Sequence, residues 1–298
     1  MNKTCYKVIF NKKRGMMMAV AENTTRDGKN VRDGSAVTVS AGQGADFQMH
    51  VAAFSVLLAA GSAAMTPAYA SGIVADKSAP QHQQPTILKT ANGLPQVNIQ
   101  TPTAGGVSIN QYRRFDVDKQ GAVLNNSRSN VQTQQAGWIQ GNPWLARGEA
   151  RVIVNQVNST NPSLLNGYVE VAGRRADVVL ANPAGIQVNG AGFINAAGVT
   201  LTTGKPLFDN GHLSGFQVRD GNIAVNGSGL DTSNADYTRI LARAAQINAG
   251  VWAKDLSVVS GSNDITADGS HAKASDGRPA PAVAIDTAQL GGMYANKI

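Results

Sequence analysis

The feature that most constrains this chain is the shortness of its apolar segments, each of which ends at Asn, Gly or Pro. The stretch "VVLANPAGIQVNG", residues 178–190, stops at an Asn-Pro and again at an Asn-Gly. Similar segments recur along the chain, among them "ARVIVNQV", "GVTLTTG" and "NIAVNG". Runs of this length between turn residues predict β-strands. Strands this short are stable only when neighbours cover their edges and faces.

The composition agrees with an all-β fold. Of the 298 residues, 15% are charged and 5% are aromatic, whereas 32 are Gly and 25 are Asn. This balance favours strands and turns, because helices are rich in Glu, Lys and Leu. The 42% hydrophobic content is sufficient for a core in one long domain or two ordinary ones.

The Asn-Pro motifs predict sharp corners. Asn182, Pro183, Ala184 and Gly185 suit the four positions of a type I turn, because proline fixes φ at the second position. Asn142 begins another Asn-Pro motif 40 residues earlier, which predicts two coils of roughly twenty residues in a solenoid. Regular corners favour a parallel β-helix over a β-sandwich, whose longer strands would alternate more cleanly.

One segment leaves helix and strand open. In residues 236–250, "DYTRILARAAQINAG", the positions of Ile240, Leu241 and Ala244 or Ala245 suit a helical turn. The alternative is another strand and corner with a small-residue interior.

Residues 1–70 predict a cleaved leader. Residues 51–65 form an uncharged apolar run, and Ala68 and Ala70 after it fit the small-x-small pattern that precedes a signal cleavage site. We therefore expect cleavage between Ala70 and Ser71, which leaves residues 71–298 as the exported domain. The apolar run is too short, and too rich in small residues, for a membrane span. The long basic extension before it resembles the extended signal peptide region of very large bacterial exported proteins.

The leader carries much of the charge and the single cysteine. The chain has a net charge of +7, and residues 1–70 hold 8 basic and 4 acidic groups, leaving 18 basic and 15 acidic groups beyond them. The remaining arginine pairs are isolated, so we expect no nucleic-acid partner. Because Cys5 lies in the leader, the exported part cannot form an internal disulfide in the oxidising periplasm.

Residues 125–204, which contain "GWIQGNPWLARGEA" and "VVLANPAG", and residues 284–298, "AIDTAQLGGMYANKI", carry a family resemblance. They resemble the TPS domain of two-partner secretion exoproteins. This haemagglutination-activity family includes filamentous haemagglutinin and the contact-dependent growth inhibition toxins of the CdiA type. The resemblance covers about residues 75–298, and the motifs are most similar to those of the growth inhibition branch. It implies a right-handed parallel β-helix with an N-terminal cap.

The resemblance also carries over the family's two secretion-linked motifs, usually written NPNL and NPNG. Trp144 and Ala184 stand where the family has its second Asn, which puts any role of that Asn in doubt. The motif residues are expected mainly to build corners, with secretion following from correct folding, and the alternative is that the two departures tune recognition by the cognate transporter. The matching positions are Asn142, Pro143 and Leu145 in the first motif, and Asn182, Pro183 and Gly185 in the second.

The resemblance further implies a route and partners. The leader would engage the Sec translocon, and an outer-membrane β-barrel transporter of the TpsB type, with POTRA domains, would then export the protein to the medium or the cell surface. We expect the chain to be the N-terminal part of a longer toxin-delivery protein, with an adhesin or a cytolysin as alternatives. Any target-cell receptor would bind regions beyond Ile298.

A β-helical polysaccharide-active enzyme is the rival class. Asp116 and Asp118 in "FDVD" would share one strand face, and we expect this lone pair to be structural or solvated. Trp138, Trp144 and Tyr168 could form a sugar-binding platform, although core or cap packing is the more common role. We expect no enzyme activity, cofactor or metal site, since the four histidines lack metal-ligand spacing. These are His50, His82, His212 and His271.

Overall fold

The computed structural model describes residues 72–274, 284–287 and 292–298, together with the backbone of residues 6–11 and 16–21. Among these residues, no helix has the length and apolar character required to cross a bilayer. The chain divides into two compact units, Met1–Met65 and Thr66–Ile298.

The first unit, Met1–Met65, contains one described hairpin. Strands β1 (Tyr6–Asn11) and β2 (Met16–Ala21) pair antiparallel. The apolar run at residues 51–65 lies outside the described residues.

The described residues of the second unit, Thr66–Ile298, form short strands and two single-turn 3-10 helices, Gln81–Gln83 and Pro143–Leu145. Its first strands are β3 (Ile73–Ala75), β4 (Thr86–Lys89), β5 (Pro95–Asn98), β6 (Val107–Phe115), β7 (Ala122–Asn126), β8 (Val131–Thr133), β9 (Gly137–Ile139), β10 (Val152–Val157), β11 (Ser163–Leu165), β12 (Tyr168–Gly173), β13 (Ala176–Ala181), β14 (Ile186–Ile194) and β15 (Ala196–Thr202). The strands that follow are β16 (Lys205–Asp209), β17 (His212–Gln217), β18 (Asn222–Asp231), β19 (Tyr237–Ala242), β20 (Ala244–Ile247), β21 (Gly250–Trp252), β22 (Leu256–Ser260), β23 (Asn263–Thr266), β24 (Ala272–Ala274), β25 (Ile285–Thr287) and β26 (Gly292–Tyr294).

Two parallel sheets define a parallel β-helix. Sheet I contains β6, β10, β13, β15, β19 and β22 in that order, and Sheet II contains β5, β7, β12, β14, β18 and β20. Neighbours within each sheet pair in parallel; Val152, for example, lies opposite Val107 on one side and Asp177 on the other. Because the chain alternates between the two sheets, successive strands of one sheet are one coil apart.

Coils without an insertion have the predicted length of about twenty residues. Val178 pairs with Val199, a spacing of 21 residues, and Thr238 pairs with Leu256, a spacing of 18. The coil between β15 and β19 is longer, because the hairpin β16–β17 is inserted in it.

Antiparallel strands cover the N-terminal end of both sheets. Strand β3 pairs antiparallel with β6 at the end of Sheet I, and β4 pairs antiparallel with β5 at the end of Sheet II. This arrangement confirms the predicted N-terminal cap.

The apolar run "VVL" at residues 178–180 is buried on both faces of Sheet I. Val178 and Leu180 belong to the core between the two sheets. Val179 points outward into a second cluster with Phe216 and Ile265, which come from the antiparallel sheet β16-β17-β23-β24. A continuous apolar run is therefore needed here, because both faces of the strand are covered.

Residues 236–250 form strands, so the possible helical turn is not present. Strand β19 pairs with β15 in Sheet I, and β20 pairs with β18 in Sheet II. Ile240 and Ala245 are buried in the core. The small residues fit a corner between two strands, and the parallel partners on either side outweigh local helix propensity.

Replacement of a core leucine tests this packing. Leu201→Ala removes a fully buried side chain and should lower the free energy of unfolding by about 2–5 kcal/mol. Leu207→Ala, at a side chain that is 38% exposed, should change it by about 0.5 kcal/mol or less. Urea denaturation of the two exported variants measures the difference; equal losses would contradict the described core.

Candidate functional site

Asn182 begins the corner that joins β13 of Sheet I to β14 of Sheet II. The Gly185 N–H donates to the Asn182 carbonyl at 2.9 Å, as a type I turn requires. The Ala184 N–H donates to Asn182 Oδ1 at 2.9 Å, and Asn182 Nδ2 donates to the Asn161 carbonyl and to the Ser163 hydroxyl, each at 3.0 Å. The fully buried Asn182 side chain therefore closes its own turn and also ties it to the preceding coil.

Asn142 builds its corner in the same way. Its Oδ1 accepts from the Trp144 N–H at 3.0 Å, and the Leu145 N–H donates to the Asn142 carbonyl at 3.2 Å. Its Nδ2 donates to the carbonyls of Ile99 and Asn125 at 2.9 and 3.0 Å. The side chain is buried, so both motifs use one asparagine to satisfy backbone groups in two coils.

The two corners lie at different places on the β-helix. The Asn142 corner precedes β10, whereas the Asn182 corner follows β13, the strand that pairs with β10 in Sheet I. The expectation that their 40-residue spacing equals two coils is therefore wrong. The 40 residues between the two asparagines hold one coil, from β10 to its partner β13, and the corners lie at opposite ends of the Sheet I strands.

The residues that depart from the family motifs leave both corners intact. The turn at each asparagine uses the backbone N–H of the third residue, which Trp144 and Ala184 supply as well as any other residue. Ala184 is half-buried. Trp144 is 45% exposed, and its Nε1 donates to Thr86 Oγ1 of β4 at 3.1 Å. The turn itself therefore does not depend on the side chain at the third position.

The fourth residues have opposite requirements. Leu145 is fully buried in the main core. Gly185 has φ +118°, and a Cβ atom there would lie 2.9 Å from the Asn222 carbonyl oxygen, so this position needs glycine. Pro143 and Pro183 are exposed at the outside of their turns.

Sequence reasoning assigned asparagines to turns and missed those buried inside strands. Asn125 Nδ2 donates to Asn98 Oδ1 at 2.9 Å, between paired strands of Sheet II. In Sheet I, Asn155 Oδ1 accepts from the buried Tyr112 hydroxyl at 2.8 Å. The signal was present as Asn at the end of apolar runs such as "AVLNN" and "VIVNQV", but spacing alone does not reveal that these side chains meet.

The predicted carboxylate pair does not share a strand face. Strand β6 ends at Phe115, and Asp116 is buried whereas Asp118 is exposed. Asp116 Oδ1 accepts from the Leu164 N–H at 3.0 Å, and burial raises the pKa of Asp116. The chain leaves the strand here because Val117 forms an isolated bridge with Leu165 and the Gly121 N–H closes a turn on the Asp118 carbonyl. The expected strand pair is therefore wrong.

The other candidate residues are dispersed. His82, His212 and His271 are exposed on separate elements, and within the described ranges no three His, Cys, Asp or Glu side chains lie close enough to hold a metal ion. Tyr168 donates its hydroxyl to Asp231 at 3.2 Å. The predicted cleavage residues, namely Ala68, Ala70 and Ser71, lie outside the described residues, as does His50.

The predicted aromatics are more exposed than core or cap packing would require. Trp138 is 70% exposed, Trp144 is 45% exposed and Tyr168 is 39% exposed. Trp138 and Trp144 line one cavity, whereas Tyr168 does not reach it. The three residues therefore do not form a single platform.

The asparagine corners should be sensitive to substitution. Asn182→Ala leaves the Asn161 carbonyl and the Ala184 N–H without their partners, and should lower the free energy of unfolding by about 2–4 kcal/mol. Arg174→Ala, at an exposed side chain, should change it by about 0.5 kcal/mol or less. Chemical denaturation measures both; a neutral Asn182→Ala would show that the corner does not depend on this side chain.

The glycine of the second motif gives a separate test. Gly185→Ala should lower the free energy of unfolding by about 1–3 kcal/mol, since the positive φ and the close Asn222 carbonyl both strain an alanine. Gly137→Ala is the matched control, because Gly137 also has a positive φ, +66°, but nothing lies within 4 Å of its Cβ position. Thermal unfolding compares the two; equal losses would mean that the contact with Asn222 is unimportant.

Comparison with known proteins agrees with this geometry. Residues 71–298 match the family model of the TPS secretion domain, and residues 1–48 match the extended signal peptide of type V secretion systems. The crystal structure of the filamentous hemagglutinin secretion domain superposes with a TM-score of 0.67 at 34% identity, covering 75% of this chain and 76% of that one.

Two curated relatives align over the whole chain and are much longer than it. Toxin CdiA of Yersinia pestis is 52% identical over all of this chain, which spans 9% of that protein. The tRNA nuclease CdiA-2 of Burkholderia pseudomallei strain 1026b is 48% identical over all of this chain, which spans 10% of it. Together with the family match over residues 71–298, these similarities show that the chain belongs to the TPS secretion domain family and carries an extended signal peptide for export across the Gram-negative envelope to the cell surface or the medium.

Proposed function

We propose that residues 71–298 are the export and folding-nucleating domain of a long two-partner secretion exoprotein of the contact-dependent growth inhibition type. The observation that carries this proposal is the alignment of the whole chain with about a tenth of each of two CdiA relatives. The relatives differ in the activity for which they are named, from the tRNA nuclease that aligns with the whole chain to a 16S rRNA endonuclease that aligns with 70% of it. A region that is similar in all of them fits the export step they share better than their differing activities.

The route begins with the leader. Residues 1–70 direct the chain to the Sec translocon, and signal peptidase cleaves between Ala70 and Ser71, after the small-x-small pattern. The periplasmic chain then meets an outer-membrane β-barrel transporter of the TpsB type, whose POTRA domains recognise it. The match to an extended signal peptide of type V secretion and the match to a TPS secretion domain support this order.

Folding supplies the outward drive, since the periplasm provides no nucleotide. Each coil that stacks on the emerging β-helix buries side chains such as Ile186 and Val188, each worth about 1.5–3 kcal/mol of transfer free energy. The same step pairs a strand edge and lets an asparagine corner bind the coil before it, as Asn182 binds Asn161 and Ser163. These contacts oppose backward sliding.

In this proposal the motif residues act mainly through folding. Asn142 and Asn182 have their polar side-chain atoms committed to backbone and hydroxyl groups inside the domain. A buried amide with internal partners is better suited to holding a corner than to contacting a second protein.

Two other functions are weaker candidates. A filamentous haemagglutinin-type adhesin or a cytolysin would share this export domain. The superposition on the filamentous hemagglutinin secretion domain supports the adhesin only through the export domain. The coding sequence after Ile298 distinguishes them: a C-terminal toxin domain followed by a small immunity gene supports growth inhibition, with receptor contacts in that distal part. A polysaccharide-active enzyme is disfavoured because Asp116 is held by the Leu164 N–H and Asp118 lies exposed outside the strand.

Export measured with and without the cognate transporter tests the proposal. Residues 1–298 should reach the medium only when the transporter is present, and the exported protein should begin at Ser71. Asn142→Ala and Asn182→Ala should lower the exported amount, because a corner without its side-chain hydrogen bonds stabilises the folded coil less. Arg174→Ala should leave the exported amount unchanged.

The control is the transporter's own substrate, whose export shows that the transporter is active. Retention of residues 1–298 in the periplasm while that substrate is exported would contradict the proposal. Equal export of the two asparagine variants and Arg174→Ala would contradict the role of the corners.

A further inference from the structure

Two tryptophans, Trp138 and Trp144, lie exposed beside the first Asn-Pro corner. Trp138, on β9, is 70% exposed, and Trp144, inside the corner, is 45% exposed. They line a common cavity of about 460 Å³ together with Leu88, which is 43% exposed, and Lys89. We call this cavity the cap groove, since strand β4 of the N-terminal cap forms one wall and β9 forms the other.

The cap groove has a rigid frame. The Trp144 indole donates to Thr86 Oγ1 on β4 at 3.1 Å, and the Trp144 carbonyl accepts from the Thr101 hydroxyl at 2.7 Å. The hairpin that carries Trp138 is fixed by the buried Glu170, whose carboxylate accepts from the N–H groups of Gln134 and Gln135 at 2.7 and 2.9 Å. The groove is therefore preformed and does not need to be assembled on binding.

The charge around the groove is of one sign. Lys89 lines the cap groove, and Lys77 lines the adjoining cavity of about 820 Å³, which also includes Trp144. The Arg128 backbone lies beside Gly141, which lines the groove, and the Arg128 guanidinium donates to the Ala146 carbonyl at 3.2 Å. Among the described residues, no carboxylate side chain lines either cavity. An aromatic floor with a cationic rim is complementary to an apolar segment flanked by acidic side chains.

The wall formed by β4 favours an extended ligand. This strand ends Sheet II, and β5 is its one paired neighbour in the described part of the chain. A terminal strand presents backbone donors and acceptors along its open edge, which an extended peptide can pair with while its side chains enter a neighbouring pocket.

We propose that the cap groove binds an extended, acid-flanked apolar segment in the periplasmic part of the outer-membrane transporter. This rests on the proposed function and deepens it by assigning the surface of recognition. Trp144, one of the two departures from the family motifs, lines this groove and would contact the transporter segment. The buried Asn142 holds the corner.

Photocrosslinking during export tests the assignment. Leu88→p-benzoylphenylalanine places a photoreactive side chain in the groove, and Leu207→p-benzoylphenylalanine is the matched control, since Leu207 is 38% exposed on β16. In cells that export the full chain, we expect an adduct with the transporter from position 88 and none from position 207. An adduct from position 88 with lipid or lipopolysaccharide, or with no partner, overturns the proposal.

Substitutions separate recognition from folding. Trp138→Ala and Lys89→Glu should each lower the yield of the transporter adduct by about tenfold while leaving protease resistance and the urea midpoint unchanged, because both side chains are exposed. The matched controls are Trp252→Ala, 43% exposed, and Lys205→Glu, exposed on β16, which should leave the yield unchanged. Lys89→Met should lower it less than Lys89→Glu; equal effects would overturn the acidic character of the segment.

The two proposals fail in different ways. If the unsubstituted chain is not exported by an active transporter, the proposed function is wrong. If it is exported normally and all groove variants match their controls in adduct yield, the export function stands and the cap groove is not the recognition surface.

Discussion

The structure depends on the hydrogen bonds by which each coil is tied to the coil before it. Parallel pairing within Sheets I and II supplies most of them, but a β-helix must also turn the chain sharply twice in each coil, and turns leave backbone groups unpaired. Buried asparagines resolve this problem. Asn142 and Asn182 each accept a hydrogen bond from their own turn. Asn182 donates two bonds to the preceding coil, and Asn142 donates one to Ile99 of the preceding coil and one to Asn125 at the end of β7.

A second constraint follows from strands that are apolar on both faces. The core between the sheets covers one face, and insertions cover part of the other. The antiparallel sheet that contains Phe216 covers Val154 and Val179 of Sheet I, and the hairpin β8–β9 covers Val123 of Sheet II. The insertions therefore complete the burial of the coils, and they also bring exposed side chains such as Trp138 to the surface.

These features connect the fold to export. A domain built from coils that each bind the preceding one can fold from one end to the other, because each added coil is stabilised by contacts with its neighbour. The capped N-terminal end differs from the rest of the β-helix, because its outermost strands β3 and β4 run antiparallel to their neighbours. The cap groove lies at this end, so the surface we assign to recognition and the point from which coils stack are close together in the fold.

The sequence by itself determined the β-rich class and the turn at Asn182, because strand length and turn chemistry are local properties, and it indicated the N-terminal cap through the family resemblance. The predicted coil length of about twenty residues agrees with the structure, although the motif spacing from which it was taken does not span two coils. Tertiary structure alone decided which asparagines are buried, that Asp116 and Asp118 separate, and that residues 236–250 are strands. These outcomes depend on contacts between residues far apart in the chain, such as Asn142 with Ile99 and Asn125. The exposure of Trp138 and Trp144 was decided in the same way, because an inserted hairpin and a cap strand meet only after the coils have stacked.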